Sequence, residues 1–161
     1  MRTFTAQGKH GAPYATRSSR FNRQQMHIKK FIWPVRVYYE DTDAGGVVFY
    51  ANYLKFFERA RTEMLRAMGY EQDQLIVNEG IIFVVRSVQV DYLRSARFNE
   101  QIQVSAEVTL AKKASLTFSQ LITRGDDVLC KSIIRIACLD AKTMRPKAIP
   151  ENLLELLKNE H

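Results

Sequence analysis

The stretch NYLKFFERARTEMLRAM, residues 52–68, decides the architecture because it is the long helical pattern of the chain. Apolar residues recur in it at steps of three and four, which places them on one face of a helix. Asn52 is positioned to be the N-cap, and Gly69 is positioned for C′. The stretch therefore predicts one amphipathic helix that needs an apolar surface to pack against. Its apolar face comprises Tyr53, Phe56, Phe57, Ala60, Met64, Ala67 and Met68.

The sequence on both sides of this helix has the composition and the two-residue period of β-strands. Residues 33–39, WPVRVYY, predict a first strand before the helix. After it, strands are predicted at residues 81–93, 101–110, 116–123 and 128–139, with short helices at 72–79 and 150–158. Alternation is clearest in the second of these strands, where Ile102, Val104, Ala106, Val108 and Leu110 share a face. Short links between the four strands predict an antiparallel meander with the long helix on one face, an α+β fold.

The chain has 161 residues and a formal net charge of +7 that is unevenly distributed. Residues 1–30 hold seven basic side chains and no acidic ones, whereas residues 31–161 hold 17 of each. We therefore predict a basic, disordered tail at residues 1–30 and one domain at residues 31–161. The tail fits three roles: none in folding or catalysis, an organelle transit peptide, or an arm for anionic lipid or nucleic acid. No apolar run approaches the ~20 residues of a bilayer span, so we do not expect a transmembrane protein.

Histidine and cysteine usage narrows the chemistry. His10, His27 and His161 lie in the tail or at the C-terminus, which disfavours a Ser-His-Asp, Cys-His or zinc site. Cys130 and Cys138 fall in one predicted strand about 26 Å apart, too far for a disulfide. We interpret both as buried apolar residues in a reducing compartment. An enzyme of this kind would use a carboxylate as its base or nucleophile, and we expect no metal site.

The carboxylates in the best position for such a role lie in EDTDAGG, residues 40–46, directly before the long helix. A helix N-terminus offers unpaired N–H groups that suit an oxyanion, and Gly45 and Gly46 let the backbone approach a ligand. A carboxylate beside a carbonyl held there makes a workable acyl-transfer site. Two other interpretations stay open at this point. The acids only cap the helix, or Asp41 and Asp43 bind Mg²⁺.

The stretch RVYYEDTDAGGVVFYANYLKFFERARTEMLR, residues 36–66, closely resembles the hotdog-fold acyl-CoA thioesterases of the 4-hydroxybenzoyl-CoA thioesterase type. It is most similar to the bacterial subgroup associated with the Tol–Pal cell-envelope system. The resemblance continues through FVVRSVQVDYLRSAR, SLTFSQ and DAKTMRPKAIP and covers nearly all of residues 34–150. It implies a hotdog fold, in which an antiparallel β-sheet wraps around one long central helix, and hydrolysis of an acyl-CoA to a free acid and coenzyme A.

The resemblance also implies site residues. The second aspartate of the D-x-D segment, here Asp43, would attack the thioester carbonyl or activate water, and the backbone amide of Tyr50 would bind the carbonyl oxygen. Members of the Tol–Pal subgroup often carry His at the position of Tyr50. Because this chain has Tyr there, an imidazole side chain cannot assist the reaction. Gly46 would let the substrate approach the backbone. For the coenzyme A phosphates, the candidates are Lys112, Lys113 and Ser115, followed by Arg97, Arg145 and Lys147.

Assembly and location follow from the same resemblance. Family members are dimers of hotdog subunits, often paired into tetramers, with active sites at the dimer interface. No cofactor is implied, because coenzyme A is part of the substrate. A cytoplasmic protein, peripheral to the inner membrane, with Tol–Pal or phospholipid-synthesis partners, is the corresponding expectation, and nucleic acid is not an expected partner. The alternative is a non-catalytic module that binds acyl-CoA or an envelope partner, with the basic tail on anionic lipid or nucleic acid.

Overall fold

The computed structural model describes residues 30–158, so the predicted tail at residues 1–30 lies outside the described residues except for Lys30. The described residues form one five-stranded antiparallel sheet with three α-helices. The strands are β1 (Phe31–Arg36), β2 (Ile81–Tyr92), β3 (Gln101–Lys112), β4 (Ser115–Arg124) and β5 (Asp127–Asp140). The helices are α1 (Asn52–Ala67), α2 (Gln72–Glu79) and α3 (Glu151–Lys158), and a 3₁₀ turn covers Tyr39–Asp41. The predicted α+β class is confirmed.

The strand order is β1-β3-β4-β5-β2, which corrects the predicted four-strand meander. Strands β3, β4 and β5 are neighbours, as tight two-residue links require. Strand β2 instead pairs with β5, at the far edge from β1. The link from β2 to β3, residues 93–100, is long enough to cross one end of the sheet. It is held there because the N–H groups of Leu93 and Arg94 both donate to the carbonyl of Leu129, at 2.9 and 3.0 Å.

Helix α1 packs its apolar face against the sheet, as its period predicts. Phe56, Phe57, Ala60 and Met64 are fully buried. The buried face ends at Leu65, so the prediction that Ala67 belongs to it is wrong, and Met68 is only partly buried. Ala67 is exposed in the last turn of the helix, which ends in a turn whose two hydrogen bonds define a Schellman motif. In that motif Tyr70 N–H donates to Leu65 and Gly69 N–H donates to Arg66, with Gly69 at φ 89°.

The start of α1 also differs from the prediction. Asn52 is the first helical residue, and the N-cap position belongs to Ala51, whose side chain makes no capping bond. The Asn52 side chain is buried and donates to the carbonyl of Asp41 at 2.9 Å. The side chain that the sequence assigned to capping is therefore used to fix the preceding loop. The first turn of the helix is left without a side-chain cap.

Irregularities in the strands account for two further differences. The register of β3 against β4 shifts between Val108 and Leu110, which marks a β-bulge. Because the bulge reverses the alternation, Leu110 is 47% exposed rather than on the core face where the pattern placed it. Strand β1 ends at Arg36, and the chain turns through the short 3₁₀ segment instead of continuing as a strand to Tyr39.

A buried polar contact ties the middle of α1 to the sheet. Arg61 is only 8% exposed, and its Nη1 donates to Oε1 of Gln120 on β4 at 2.8 Å. Gln120 is fully buried, and its Nε2 donates to the carbonyls of Phe57 and Ser105 at 3.1 and 3.0 Å. Burial lowers the pKa of Arg61 to about 10. Its guanidinium therefore stays charged at neutral pH, and Gln120 is fully hydrogen-bonded around it.

Candidate active site

A tight hairpin presents Asp43 directly before α1. Thr42 and Val48 form an antiparallel bridge, and Asp43 N–H donates to the carbonyl of Val47 at 2.9 Å. Gly46 N–H closes the turn by donating to the carbonyl of Asp43 at 3.0 Å. Gly46 has φ 75°, the left-handed conformation that favours glycine at this point of a three-residue hairpin loop. Within the stretch EDTDAGG, the last four residues thus form a tight turn whose first residue is Asp43.

The carboxylate of Asp43 is exposed, and only one of its two oxygens accepts a hydrogen bond within residues 30–158. Its Oδ1 accepts a hydrogen bond from Gly45 N–H at 2.8 Å, while Oδ2 has no hydrogen-bond partner among residues 30–158. A Cβ at Gly45 would lie 3.1 Å from Oδ1, closer than is usual, so glycine lets the carboxylate sit against the backbone. One oxygen is therefore fixed by the turn and the other is available for chemistry.

Asp41, two residues earlier, has a different role. It is buried, its Oδ2 accepts from Tyr38 N–H at 2.8 Å, and its carbonyl accepts from Phe49 N–H and from the Asn52 side chain, both at 2.9 Å. These bonds join the two ends of the loop. Because Asp41 is used structurally and α1 has no side-chain cap, the interpretation of these acids as helix caps is wrong for α1. Each aspartate keeps one carboxylate oxygen without a hydrogen-bond partner among residues 30–158, but only the side chain of Asp43 is exposed.

Tyr50 lies in the turn between the hairpin and α1, and its side chain is 63% exposed. Asn52 N–H donates to the carbonyl of Phe49 at 2.9 Å, which closes that turn. No residue of the described part of the chain accepts a hydrogen bond from Tyr50 N–H. An unpaired N–H at the positive end of a helix is suited to bind a carbonyl oxygen that becomes negative. Asp43 and Tyr50 therefore supply an anionic group and a donor at one loop–helix junction.

The predicted phosphate-binding residues separate into two groups. Arg97 is exposed and lies beside the hairpin, because it forms a bridge with Val47. Lys112 and Lys113 lie at the opposite end of β3, whose 12 residues from Gln101 to Lys112 span about 36 Å.

Ser115 and Arg145 belong to the same distant end of the sheet. Ser115 pairs with Ala137 near the end of β5, and the carbonyl of Arg145 accepts from Asp140 N–H at 2.8 Å. Lys147 is held nearby, donating to the Glu79 carbonyl at 2.9 Å and to Asp140 at 3.4 Å. Within one chain the structure brings Arg97 to the Asp43 hairpin, but it does not bring Lys112, Lys113, Ser115 or Arg145 there.

A sequence profile of the thioesterase superfamily matches residues 45–131, which include the end of the hairpin, α1 and most of the sheet. The chain belongs to the thioesterase superfamily. A thioesterase of Haemophilus influenzae, "Acyl-CoA thioesterase YbgC", is 44% identical over 123 residues, which is 76% of this chain and 90% of that protein. The "Acyl-CoA thioester hydrolase YbgC" of Shigella flexneri is 42% identical over 134 residues, 83% of this chain and 99% of that protein.

The three-dimensional comparison agrees. The crystal structure of a probable thioesterase from Bartonella henselae superposes with a TM-score of 0.73 at 31% identity, covering 75% of this chain and 99% of that one. The resemblance stated for residues 34–150 is therefore confirmed at the level of family, and the hotdog fold is confirmed with it.

Several contacts of this thioesterase-superfamily chain were not predicted from its sequence: those of Asn52, of Tyr92 and of Arg61 with Gln120. For Arg61 a signal was present, because it lies four residues after Phe57 and therefore on the apolar face of α1. For Tyr92 no local signal exists. Its hydroxyl donates to the carbonyl of Tyr50, 42 residues away, at 2.9 Å.

Three further properties concern metal binding, membrane crossing and the cysteines. Among residues 30–158, no three His, Cys, Asp or Glu side chains are grouped so that they could hold a metal ion. Within the same range, every helix is too short or too polar to cross a membrane. Cys130 and Cys138 are both buried and unpaired, as predicted.

Proposed function

We propose that this chain hydrolyses acyl-CoA thioesters to a free acid and coenzyme A. The observation that carries the proposal is that Asp43 Oδ2 and the Tyr50 N–H, both without a partner among residues 30–158, lie at one loop–helix junction. The relatives named acyl-CoA thioesterase and acyl-CoA thioester hydrolase, at 44% and 42% identity, support it.

In the proposed reaction, the thioester carbonyl oxygen accepts a hydrogen bond from Tyr50 N–H at the positive end of α1. This polarises the carbonyl and stabilises the negative charge of the tetrahedral intermediate. Asp43 either attacks the carbonyl carbon, forming an anhydride that water then hydrolyses, or removes a proton from the attacking water. In both routes the carbon–sulfur bond breaks, water supplies the new oxygen of the acid, and coenzyme A leaves as a thiol. Gly46, which adds no side chain to the turn, leaves room for the thioester.

We also propose that two chains complete each site. Lys112, Lys113, Ser115 and Arg145 reach an Asp43 hairpin only if a second copy supplies them, since about 36 Å separates the two ends of β3. The edge strand β2 supports pairing of copies, because Val85 and Val88 are 51% and 42% exposed on it. A homodimer, or a tetramer of such dimers, would bury these side chains and place the basic groups on the coenzyme A phosphates.

Location and partners are proposed on the resemblance to the Tol–Pal-associated subgroup. A cytoplasmic enzyme, peripheral to the inner membrane and working beside Tol–Pal or phospholipid-synthesis proteins, fits that subgroup. No separate cofactor or metal enters the proposed reaction, because coenzyme A arrives as part of the substrate. The competing proposal is a non-catalytic module that binds acyl-CoA or an envelope partner, whose basic tail contacts anionic lipid or nucleic acid.

A thiol-release screen separates these two proposals. Short-chain, long-chain and aromatic acyl-CoAs are offered to the full chain and to a variant that lacks residues 1–25. We expect at least one acyl-CoA to release thiol catalytically, with the same kcat in both proteins. Binding without turnover, lost on removal of residues 1–25 and weakened steeply by salt, would instead support the binding module.

Mixing two impaired variants tests the shared site. Asp43→Asn removes the carboxylate, and Lys112→Glu with Lys113→Glu reverses the charge of the basic turn. If the two groups of one site come from different chains, mixed dimers contain one intact site, and the mixture is more active than either variant. If both groups came from one chain, no mixed dimer would hold an intact site and the mixture would gain nothing.

A further inference from the structure

On the side of the sheet, the hydroxyl of Tyr92 holds the turn that carries Tyr50. Tyr92, the last residue of β2, donates its hydroxyl hydrogen to the carbonyl of Tyr50 at 2.9 Å. Leu54 N–H, four residues after Tyr50, donates to the carbonyl of Ala51 at 3.2 Å instead of to that of Tyr50. The Tyr50 carbonyl therefore lies one residue outside the helical ladder, and Tyr92 supplies the donor that the helix does not.

The Tyr92 ring is held by contacts with two other aromatic rings. It packs edge-on against the rings of Tyr50 and Tyr53, with centroids 6.3 and 5.6 Å apart. Tyr53 is buried, and its hydroxyl accepts from the N–H of Ala96 at 2.9 Å, which anchors the platform to the link between β2 and β3. Burial raises the pKa of Tyr92 above its usual value, so the phenol remains a hydrogen-bond donor across the neutral range.

The opposite side of the same turn is held by the loop. Asn52 donates from its side chain to the Asp41 carbonyl, which also accepts from Phe49 N–H. Tyr50 thus lies between a contact to the loop and a contact to the sheet. The Tyr50 carbonyl and N–H belong to two successive peptide planes that meet at the Tyr50 Cα, so the Tyr92 bond acts on the N–H by restraining that Cα. The hydrogen bond from Tyr92 is the one that the Tyr50 carbonyl itself accepts.

We propose that Tyr92 is a positioning residue for thioester hydrolysis, because its hydrogen bond to the Tyr50 carbonyl and its ring contact with Tyr50 hold in place the residue whose N–H polarises the substrate. This inference rests on the proposed function and adds a residue to it. Tyr92 does not touch the reacting atoms. It acts on the stabilisation of the tetrahedral intermediate, and so on kcat, rather than on the affinity for coenzyme A.

The test is Tyr92→Phe in the full chain, which keeps the ring and removes the donor. We expect kcat to fall about five- to tenfold, the range that loss of one neutral hydrogen bond gives, with KM unchanged within about twofold. The matched control is Tyr70→Phe. Tyr70 follows the other end of α1, and its hydroxyl makes no hydrogen bond within the described residues, so both constants should stay at wild-type values.

Hydrogen exchange provides a second readout. The peptide covering residues 47–54 should exchange faster in Tyr92→Phe than in wild type or Tyr70→Phe, while the melting temperature stays near that of wild type. A wild-type kcat in Tyr92→Phe overturns the inference, as does a rise in KM with kcat unchanged. A wild-type protein that releases no thiol contradicts the proposed function instead. A fall in kcat that follows only a loss of folded protein assigns Tyr92 to stability and overturns the positioning role.

Discussion

Two polar regions border helix α1, and they differ in how far their hydrogen bonds are satisfied. In its middle, Arg61 and Gln120 are buried, and every polar atom of the Gln120 side chain is bonded. Before its start, Asp43 and Tyr50 are exposed, and Asp43 Oδ2 and the Tyr50 N–H have no partner in the described residues. Buried polar groups that satisfy one another stabilise the fold, while unused bonding capacity at the surface is what a substrate requires. Changes in the two regions should therefore have opposite consequences for stability and activity.

The largest expected effect belongs to the buried region. Gln120→Leu removes the amide oxygen that accepts from the buried Arg61 guanidinium and the amide that donates to two buried carbonyls, so we expect a loss of about 3 kcal/mol in the free energy of unfolding. Urea unfolding of the variant measures it. Ser119→Ala, the next residue along β4 and only partly buried, is the control and should change stability by less than about 0.5 kcal/mol. Equal stabilities for the two variants would contradict the structural role of the contact.

The two aspartates divide in the same way over a shorter distance. Asp41→Ala leaves the Tyr38 N–H without its acceptor and should cost about 1–2 kcal/mol of stability. Asp43→Ala removes an exposed carboxylate and should change stability by less than about 0.5 kcal/mol. Thermal unfolding of both variants checks the pair. A greater loss of stability in Asp43→Ala than in Asp41→Ala would reverse the assignment of structural and free carboxylates.

Two glycines at opposite ends of α1 offer a matched comparison of backbone strain. Gly46 and Gly69 both have positive φ, 75° and 89°, and open space where a Cβ would lie. Replacing either by Ala should cost about 1 kcal/mol of stability, because the left-handed conformation disfavours a side chain. Only Gly46→Ala should also lower kcat, by a few-fold, since Gly46 closes the turn that presents Asp43. Wild-type kcat in a correctly folded Gly46→Ala would show that the geometry of the turn does not matter.

The local sequence pattern was enough to predict the helix, the strands and the acidic loop. It was not enough to predict contacts between residues that are far apart in the chain. The period of residues 52–68 predicted α1 because packing against the sheet follows that period. The position of β2 beside β5 could not be predicted, since a long link allows either neighbour, and the bulge at Leu110 leaves no trace in an alternating pattern. In the site, the position of Asp43 before a helix could be predicted from the sequence. The contact of Tyr92 could not, because its partner is 42 residues away.

The smallest expected effect is the reactivity of the two cysteines, which are both buried. Burial raises the pKa of Cys130 to about 12 and that of Cys138 to about 11, so almost no thiolate forms at a pH of about 8. A disulfide reagent should therefore leave both thiols unreacted in the folded protein and titrate two thiols per chain after unfolding in urea. Fast reaction of the folded protein would show that the strand carrying them opens readily.

The most direct test of the proposed active site is the rate of thiol release by Asp43→Asn, compared with wild type on the best acyl-CoA of the screen. The substitution preserves shape and keeps an oxygen for the Gly45 N–H, but it removes the charge needed for a base or nucleophile. We expect kcat to fall at least about a hundredfold while the urea midpoint stays at the wild-type value. Turnover at the wild-type rate by this variant would contradict the assignment of the reaction to Asp43.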